Sequence, residues 1–224
     1  PVPHFMHFST IKAVAPSGGT LPVSEAATGP GDTPYGASKW RAEEAVRSWA
    51  AEDPSRTCLI LRPAVVYGPG NQANVFSMLH AIARGYFFLA GPARNVKSLV
   101  SLKNLSSAVR HLMESATTGC HTFNLVDKQS YSVNDLSEIM SRALEASRPR
   151  RLPLGLVRVM AGIGDAAGRL TGRNFPITGQ KLDALLEETH FSCEKLLATG
   201  FAHPQSTEEG IQDLVLWYRE KHGR

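Results

Sequence analysis

Thr33-Pro34-Tyr35-Gly36-Ala37-Ser38-Lys39-Trp40 is the run from which the rest of this chain is read. A threonine followed by proline suits the passage from a loop into the first turn of a helix. Glu43, Glu44, Val46 and Trp49 then continue a helical mixture of charged and apolar positions, which predicts a helix to about Glu52. Residues four apart on a helix lie on one face, so Lys39 stands beside Tyr35. An ammonium held there favours the phenolate and can draw a hydroxyl of ordinary pKa ~10 toward neutrality, where acid–base work becomes efficient. A solvated surface pair is the competing reading. The small residues between Tyr35 and Lys39 are expected to let another molecule approach the helix closely.

Outward from this helix, the sequence alternates. His4 to Ser9 is aromatic-rich and predicts a buried strand, followed by a loop rich in Gly, Pro, Ser and Thr to about Thr33. Thr57 to Leu61 is a short apolar run, as in a strand covered on both faces, ending at Arg62-Pro63. Strand, helix, strand predicts a parallel crossover. A glycine-rich loop (67–71), a helix near 73–84 and strand pieces near 87–90 and 99–102 follow. The pattern then predicts a helix over 104–114 and a strand over 121–126. Ser132-Val133-Asn134-Asp135 and Ser206-Thr207-Glu208-Glu209 are capping-box patterns that open two further helices. Residues 153–186 are mostly helical, interrupted at Gly172, Arg173 and Pro176, and Ile211, Leu214, Val215 and Tyr218 form one apolar stripe of the last helix. This is an α/β pattern with a more helical and irregular second half.

Composition narrows the function. A formal charge of +4 with scattered basic residues lacks the basic, aromatic-interleaved stripe of a nucleic-acid surface. The basic cluster Arg148-Pro149-Arg150-Arg151 reads either as a solvated loop between helices or as a rim that meets phosphates. No apolar run reaches the ~20 residues of a membrane span and the start lacks signal-peptide character, so a cytoplasmic protein with no membrane partner is expected. Cys58, Cys120 and Cys193 are odd in number and widely spaced, which suits free thiols and predicts no metal site.

Six ordered motifs carry a family resemblance: Ser9-Thr10 at a strand end; Tyr35-Gly-Ala-Ser-Lys39; Leu61-Arg-Pro-Ala-Val-Val-Tyr-Gly-Pro-Gly70; Lys97-Ser-Leu-Val100 before Asn104; Phe123-Asn-Leu125; and Leu197-Ala-Thr-Gly-Phe201. Together they resemble the extended short-chain dehydrogenase/reductase family, in its nucleotide-sugar epimerase, dehydratase and reductase branch. The resemblance implies the C-terminal part of a Rossmann-type parallel sheet with a smaller, mostly helical substrate-binding domain. It divides the chain into a partial Rossmann domain (1–62) and a mainly substrate-binding region (63–224), whose segment near 97–126 returns to the sheet. It implies that Tyr35 is the general acid/base, that Lys39 tunes it and binds the nicotinamide ribose of NAD or NADP, and that Thr10, or failing it Ser9, bonds the reacting sugar oxygen. Pro63 and Val66 correspond to the nicotinamide pocket. Asn71, Asn74, Arg94 and Lys97 correspond to contacts with a nucleotide-sugar, although many relatives carry Arg at the Lys97 position and Lys lacks the bidentate fork. The implied activity is C4 epimerisation or keto-reduction of a nucleotide-diphosphate sugar.

The sequence also departs from the family. Ala13-Val14-Ala15 replaces an aromatic and glycine, and Asn104 replaces a frequent Asp. The glycine-rich turn that holds a dinucleotide pyrophosphate in such enzymes has no counterpart before Tyr35, which predicts little activity of the chain alone. The run Gly162-Ile-Gly-Asp-Ala-Ala-Gly168 has suggestive spacing but no following strand with an acidic residue. A closely packed small-residue helix is the better reading of it. An exposed edge at residues 4–9 predicts aggregation or homodimerisation of the isolated chain. Two alternatives stand beside the enzyme reading: a non-catalytic fragment or binding module, and a steroid- or flavonoid-type reductase of the same family.

Overall fold

Continuous apolar runs and capped helices alternate along the computed structural model, which describes residues 3–14, 22–172, 175 and 177–223. In chain order the elements are β1 (His4–Phe8), α1 (Pro34–Ala51), β2 (Thr57–Pro63), β3 (Val65–Tyr67), α2 (Asn74–Ala83), β4 (Phe88–Ala90), β5 (Val96–Lys97), β6 (Leu99–Ser101) and α3 (Leu102–Ser115). They continue as β7 (Gly119–Leu125), β8 (Tyr131–Ser132), α4 (Val133–Leu144), β9 (Arg150–Leu152), α5 (Leu154–Thr171), α6 (Gly179–Leu186), α7 (Glu194–Leu197) and α8 (Thr207–His222). The departure at Ala15 and the breaks at Arg173 and Pro176 lie outside the described residues.

The chain forms two compact units. Residues 1–75, 98–130 and 190–224 make the first, and 76–97 with 131–189 make the second. The sequence-based boundary at 62/63 put residues 190–224 with the substrate-binding region, whereas they pack with the sheet. The reason is Asp127. Its carboxylate accepts from Tyr67 Oη at 2.9 Å, Asn104 Nδ2 at 2.7 Å, Thr207 Oγ1 at 3.2 Å and the Ser101 amide at 3.1 Å, tying the start of α8 to the sheet side.

In the first unit a parallel sheet runs β1-β2-β7, with Cys58 opposite Cys120 and Leu61 opposite Phe8 and Phe123. Successive β2 side chains point to opposite faces. Leu59 and Leu61 meet Leu112 and Ala108 of α3, Leu196 and Phe201, while Cys58 and Ile60 meet Val46, Trp49 and Ala50 of α1. That two-sided cover explains the uninterrupted apolar run. The aromatic composition of residues 4–9 predicts a buried strand and their place at the sheet edge an exposed one; Phe5 and Phe8 are 44% and 47% exposed, because β1 pairs only with β2 among the described residues.

In the second unit β4 pairs in parallel with β9, and β5 antiparallel with β8. Val157 and Ala161 of α5 and Leu182 of α6 pack on Ala90 in its core. β9 corrects the loop reading at Arg150 and Arg151, while Arg148 and Pro149 lie in the connection before it. The backbone of β9 pairs with β4 while the side chains of Arg150 and Arg151 stay exposed, so the residue types hid a strand. The glycine run 162–168 lies inside α5, where a Cβ on Gly164 would collide with the Ile177 carbonyl oxygen. Gly164 thus serves close packing, whereas a Cβ on Gly162 would meet open space. Both capping boxes form, at Ser132/Asp135 and Ser206/Glu209.

Candidate active site

Parallel strands in α/β sheets present ligands at their carboxyl ends. β1 ends at Phe8, directly before Ser9 and Thr10, and β2 ends at Pro63. The start of α1 is brought to this same end of the sheet. Thr33 caps the helix by accepting from the Gly36 amide at 3.0 Å, with Pro34 in the first turn. Gly36 lies so close to residue 12 that a Cβ on it would collide with the Lys12 carbonyl oxygen. The sequence reading gave the small residues of this turn to an approaching molecule; for Gly36 the approaching group is the chain's own backbone.

Tyr35 is 54% exposed. The Lys39 ammonium lies 5.9 Å from its ring centroid and donates to the Phe8 carbonyl at 3.4 Å, so the i, i+4 pair sits over the β1 terminus. An ammonium carries three donors, and this bond uses one. Thr10 accepts from the Lys12 amide at 3.3 Å, capping the short 3-10 turn Ile11–Ala13. Its hydroxyl proton is not consumed by that bond.

Ser9 has a different task. Its hydroxyl donates to Glu43 Oε1 at 2.5 Å. Glu43 is fully buried and also takes Arg62 Nε at 2.9 Å and Arg62 Nη2 at 2.7 Å, a bidentate pair. Arg47 adds a third cationic bond at 2.7 Å. Burial pushes the Glu43 carboxyl up, but hydrogen bonds from Arg62, Ser9 and Arg47 and the Arg62 charge outweigh it and hold the group below the usual carboxylate range. Arg62 stacks near Trp40, 5.7 Å from its ring, and its Nη1 is buried without a partner. Sequence reading missed this clamp. Its signals were present: Glu43 lies one turn beyond Lys39, and Arg62 is a lone charge closing a strand of Leu, Ile and Leu.

His7 was also passed over. Burial, with the Lys39 charge second, lowers its pKa against the opposing pull of Glu43, and its Nε2 is buried without a hydrogen-bond partner.

The other expected binding residues separate by unit. In the first, Pro63 and Val66 are half-buried, and Asn71 spans its own loop, donating to the Val66 carbonyl at 2.9 Å and accepting from the Ala73 amide at 2.9 Å. Asn74 is exposed at the start of α2. In the second, Lys97 donates to the carbonyls of Ala184, at 2.8 Å, and Glu187, at the end of α6. Arg94 is exposed on an open groove of about 520 Å³, shared with Ser132, Asn134 and Arg151.

The set at the sheet's carboxyl end suits the nicotinamide side of NAD(P): an exposed phenol, an ammonium with donors to spare, and the half-buried Pro63. Residues 1–125 match the model of the NAD dependent epimerase/dehydratase family. The chain is 29% identical over 192 residues to an N-acetyl-alpha-D-glucosaminyl-diphospho-ditrans,octacis-undecaprenol 4-epimerase of Escherichia coli O157:H7, covering 85% of this chain and 58% of that one. It is 27% identical over 197 residues to the UDP-glucose 4-epimerase of Vibrio cholerae, with coverages of 85% and 55%. The chain thus spans little more than half the length of these relatives. A UDP-glucose 4-epimerase of Thermus thermophilus, solved with NAD, superposes with a TM-score of 0.69 at 19% identity, covering 96% of this chain and 64% of that one, and so shares the fold. With more than half of its length matched by the family model, the chain belongs to the NAD dependent epimerase/dehydratase family.

Proposed function

We propose that this chain carries the acid–base centre of an NAD(P)-dependent epimerase or keto-reductase whose substrate is a sugar linked through a diphosphate. The observation that carries the reading is the exposed Tyr35 with the Lys39 ammonium 5.9 Å from its ring, both at the carboxyl end of the parallel sheet. Tyr35 Oη takes the proton of a sugar hydroxyl in one direction and returns it in the other. Lys39 holds a positive charge near the Tyr35 ring and offers donors to a ribose, and Thr10 orients the sugar oxygen. Pro63 and Val66 would line the cofactor's ring. When bound, the nicotinamide supplies hydride acceptance and return. Glu43 acts through position, fixing α1 to the strand ends beneath it.

A nucleoside diphosphate is the carrier named for the Vibrio relative and a polyprenyl diphosphate the one named for the Escherichia relative. The lipid carrier is favoured as a second reading by the exposed apolar side of α5, described below. The test is a substrate panel run with the full-length protein: UDP-glucose, UDP-N-acetylglucosamine and undecaprenyl-diphospho-N-acetylglucosamine, each with NAD and NADP. Conversion at C4 is expected, and Tyr35→Phe should lower kcat by about 10²–10⁴-fold. Wild-type turnover in that variant refutes the assigned role.

A further inference from the structure

Helix α5 is apolar on both sides. One side, Val157, Ala161 and Gly164, is buried in the second unit's core. On the other, Leu156, Val159, Ile163 and Leu170 are 49%, 62%, 65% and 87% exposed. Their spacing of three, four and seven residues places them in one row, with exposed Ala166 filling the remaining turn. A water-facing side of a helix is ordinarily polar, so a continuous row of large aliphatic side chains marks a surface that something covers.

The charges beside the row indicate what covers it. Residues 148–171 contain five arginines and a single carboxylate. Arg158 and Arg169 flank the row three turns apart and Arg150 stands exposed before its N-terminal end, where Arg148 pairs with Glu138 at 3.6 Å and Arg151 donates to the Gly91 and Pro92 carbonyls and to Asn134 Oδ1. Asp165, the one acid, is turned to α6, where it accepts from the Gly179 amide at 3.1 Å. An aliphatic row with an arginine margin is complementary to an anionic bilayer surface, whose acyl boundary takes the aliphatic groups and whose phosphates take the guanidinium groups. We propose that the exposed side of α5 docks the protein onto anionic phospholipid membranes. Among the described residues no helix is long and apolar enough to cross a membrane; docking of this kind lies in the plane of the surface and needs no such helix. The expectation of no membrane partner rested on the lack of a spanning run, which a surface helix does not require. The inference deepens the polyprenyl form of the function above, and its link to a lipid-linked substrate rests on that reading, while docking itself is measured without substrate.

The test is co-sedimentation of the protein with phosphatidylcholine vesicles containing none or a third phosphatidylglycerol, at low and high salt. Wild type should bind the anionic vesicles at least tenfold better, and salt should weaken binding. Val159→Asp/Ile163→Asp should abolish sedimentation, and Arg158→Ala/Arg169→Ala should remove the preference for anionic lipid, with circular dichroism unchanged. Should the aspartate pair fail to fold, Leu170→Ser at the most exposed position should still reduce binding severalfold. Absence of vesicle binding by wild type, binding indifferent to these substitutions, or a wild-type dimer that the aspartate pair dissociates without any vesicle binding would each overturn the proposal. Inactivity on every sugar diphosphate with intact vesicle binding would refute the functional reading and leave the docking surface standing.

Discussion

Replacing Glu43 by alanine should destabilise the first compact unit by about 3–5 kcal/mol, the range for removing one partner of a buried ion pair. Four hydrogen bonds of 2.5–2.9 Å end on this carboxylate, from Ser9, Arg47 and, twice, Arg62. Arg62 is 1% exposed and its Nη1 already lacks a partner, so the variant leaves a buried guanidinium without a counter-charge. Arg47 is 33% exposed at its side chain and loses little, because solvent screens it. Urea unfolding followed by fluorescence of Trp40 and Trp49, both on α1, reads the loss. With a slope of about 3 kcal/mol/M the midpoint should fall by about 1–2 M. Glu43→Leu/Arg62→Met, which removes both charges, should recover most of it. The pH dependence has a definite sign. The folded carboxyl is held below its ordinary value, so the unfolded state takes up protons first as pH falls. The stabilisation is therefore full above the ordinary carboxylate pKa of about 4.3 and is lost as pH drops through the lower folded value, a slope that the double variant should lack. A cost for Glu43→Ala below about 1 kcal/mol, typical of exposed pairs, would refute the clamp.

Asp127→Ala would leave Tyr67 Oη, Asn104 Nδ2 and Thr207 Oγ1 to find other partners in a buried site, and should cost about 3 kcal/mol or more in the same assay. The hydrogen bond from Cys58 lowers Cys120 to about 7, while that bond and burial push Cys58 up, so iodoacetamide should modify Cys120 with a midpoint near that pH and reach Cys58 only on unfolding. Mass spectrometry of alkylated peptides decides it. Lys97→Met removes the donor that closes the end of α6 and should cost about 1–2 kcal/mol. If Lys97 instead contacts a diphosphate, the same variant raises KM with stability unchanged.

The sequence carried the fold where one local rule was enough. The Thr33-Pro34 entry, the two capping boxes and the covered run in β2 each depend on residues within a few positions of one another, and each forms. What stayed hidden needed distant residues. β9 exists because β4 offers it a backbone partner some sixty positions away, and two exposed arginines concealed that from any pattern of residue types. The compact units depend on Asp127 reaching Thr207, a contact no periodicity announces. The candidate site divides in the same way. Tyr35 and Lys39 were legible because a helix brings them together by geometry alone, whereas Ser9 was assigned by its position at a strand end and its hydroxyl is held by Glu43. That bond also makes sense of the pair. A phenol 54% exposed has little packing of its own to fix it, so the rigidity a proton relay needs must come from beneath. Glu43, one turn past Lys39, ties that face of α1 to Ser9 at the end of β1 and to Arg62 at the end of β2. The most buried charges of this unit therefore anchor the same helix about two turns from its most exposed candidate catalytic residue, and loosening them should blunt Tyr35 before it unfolds the sheet.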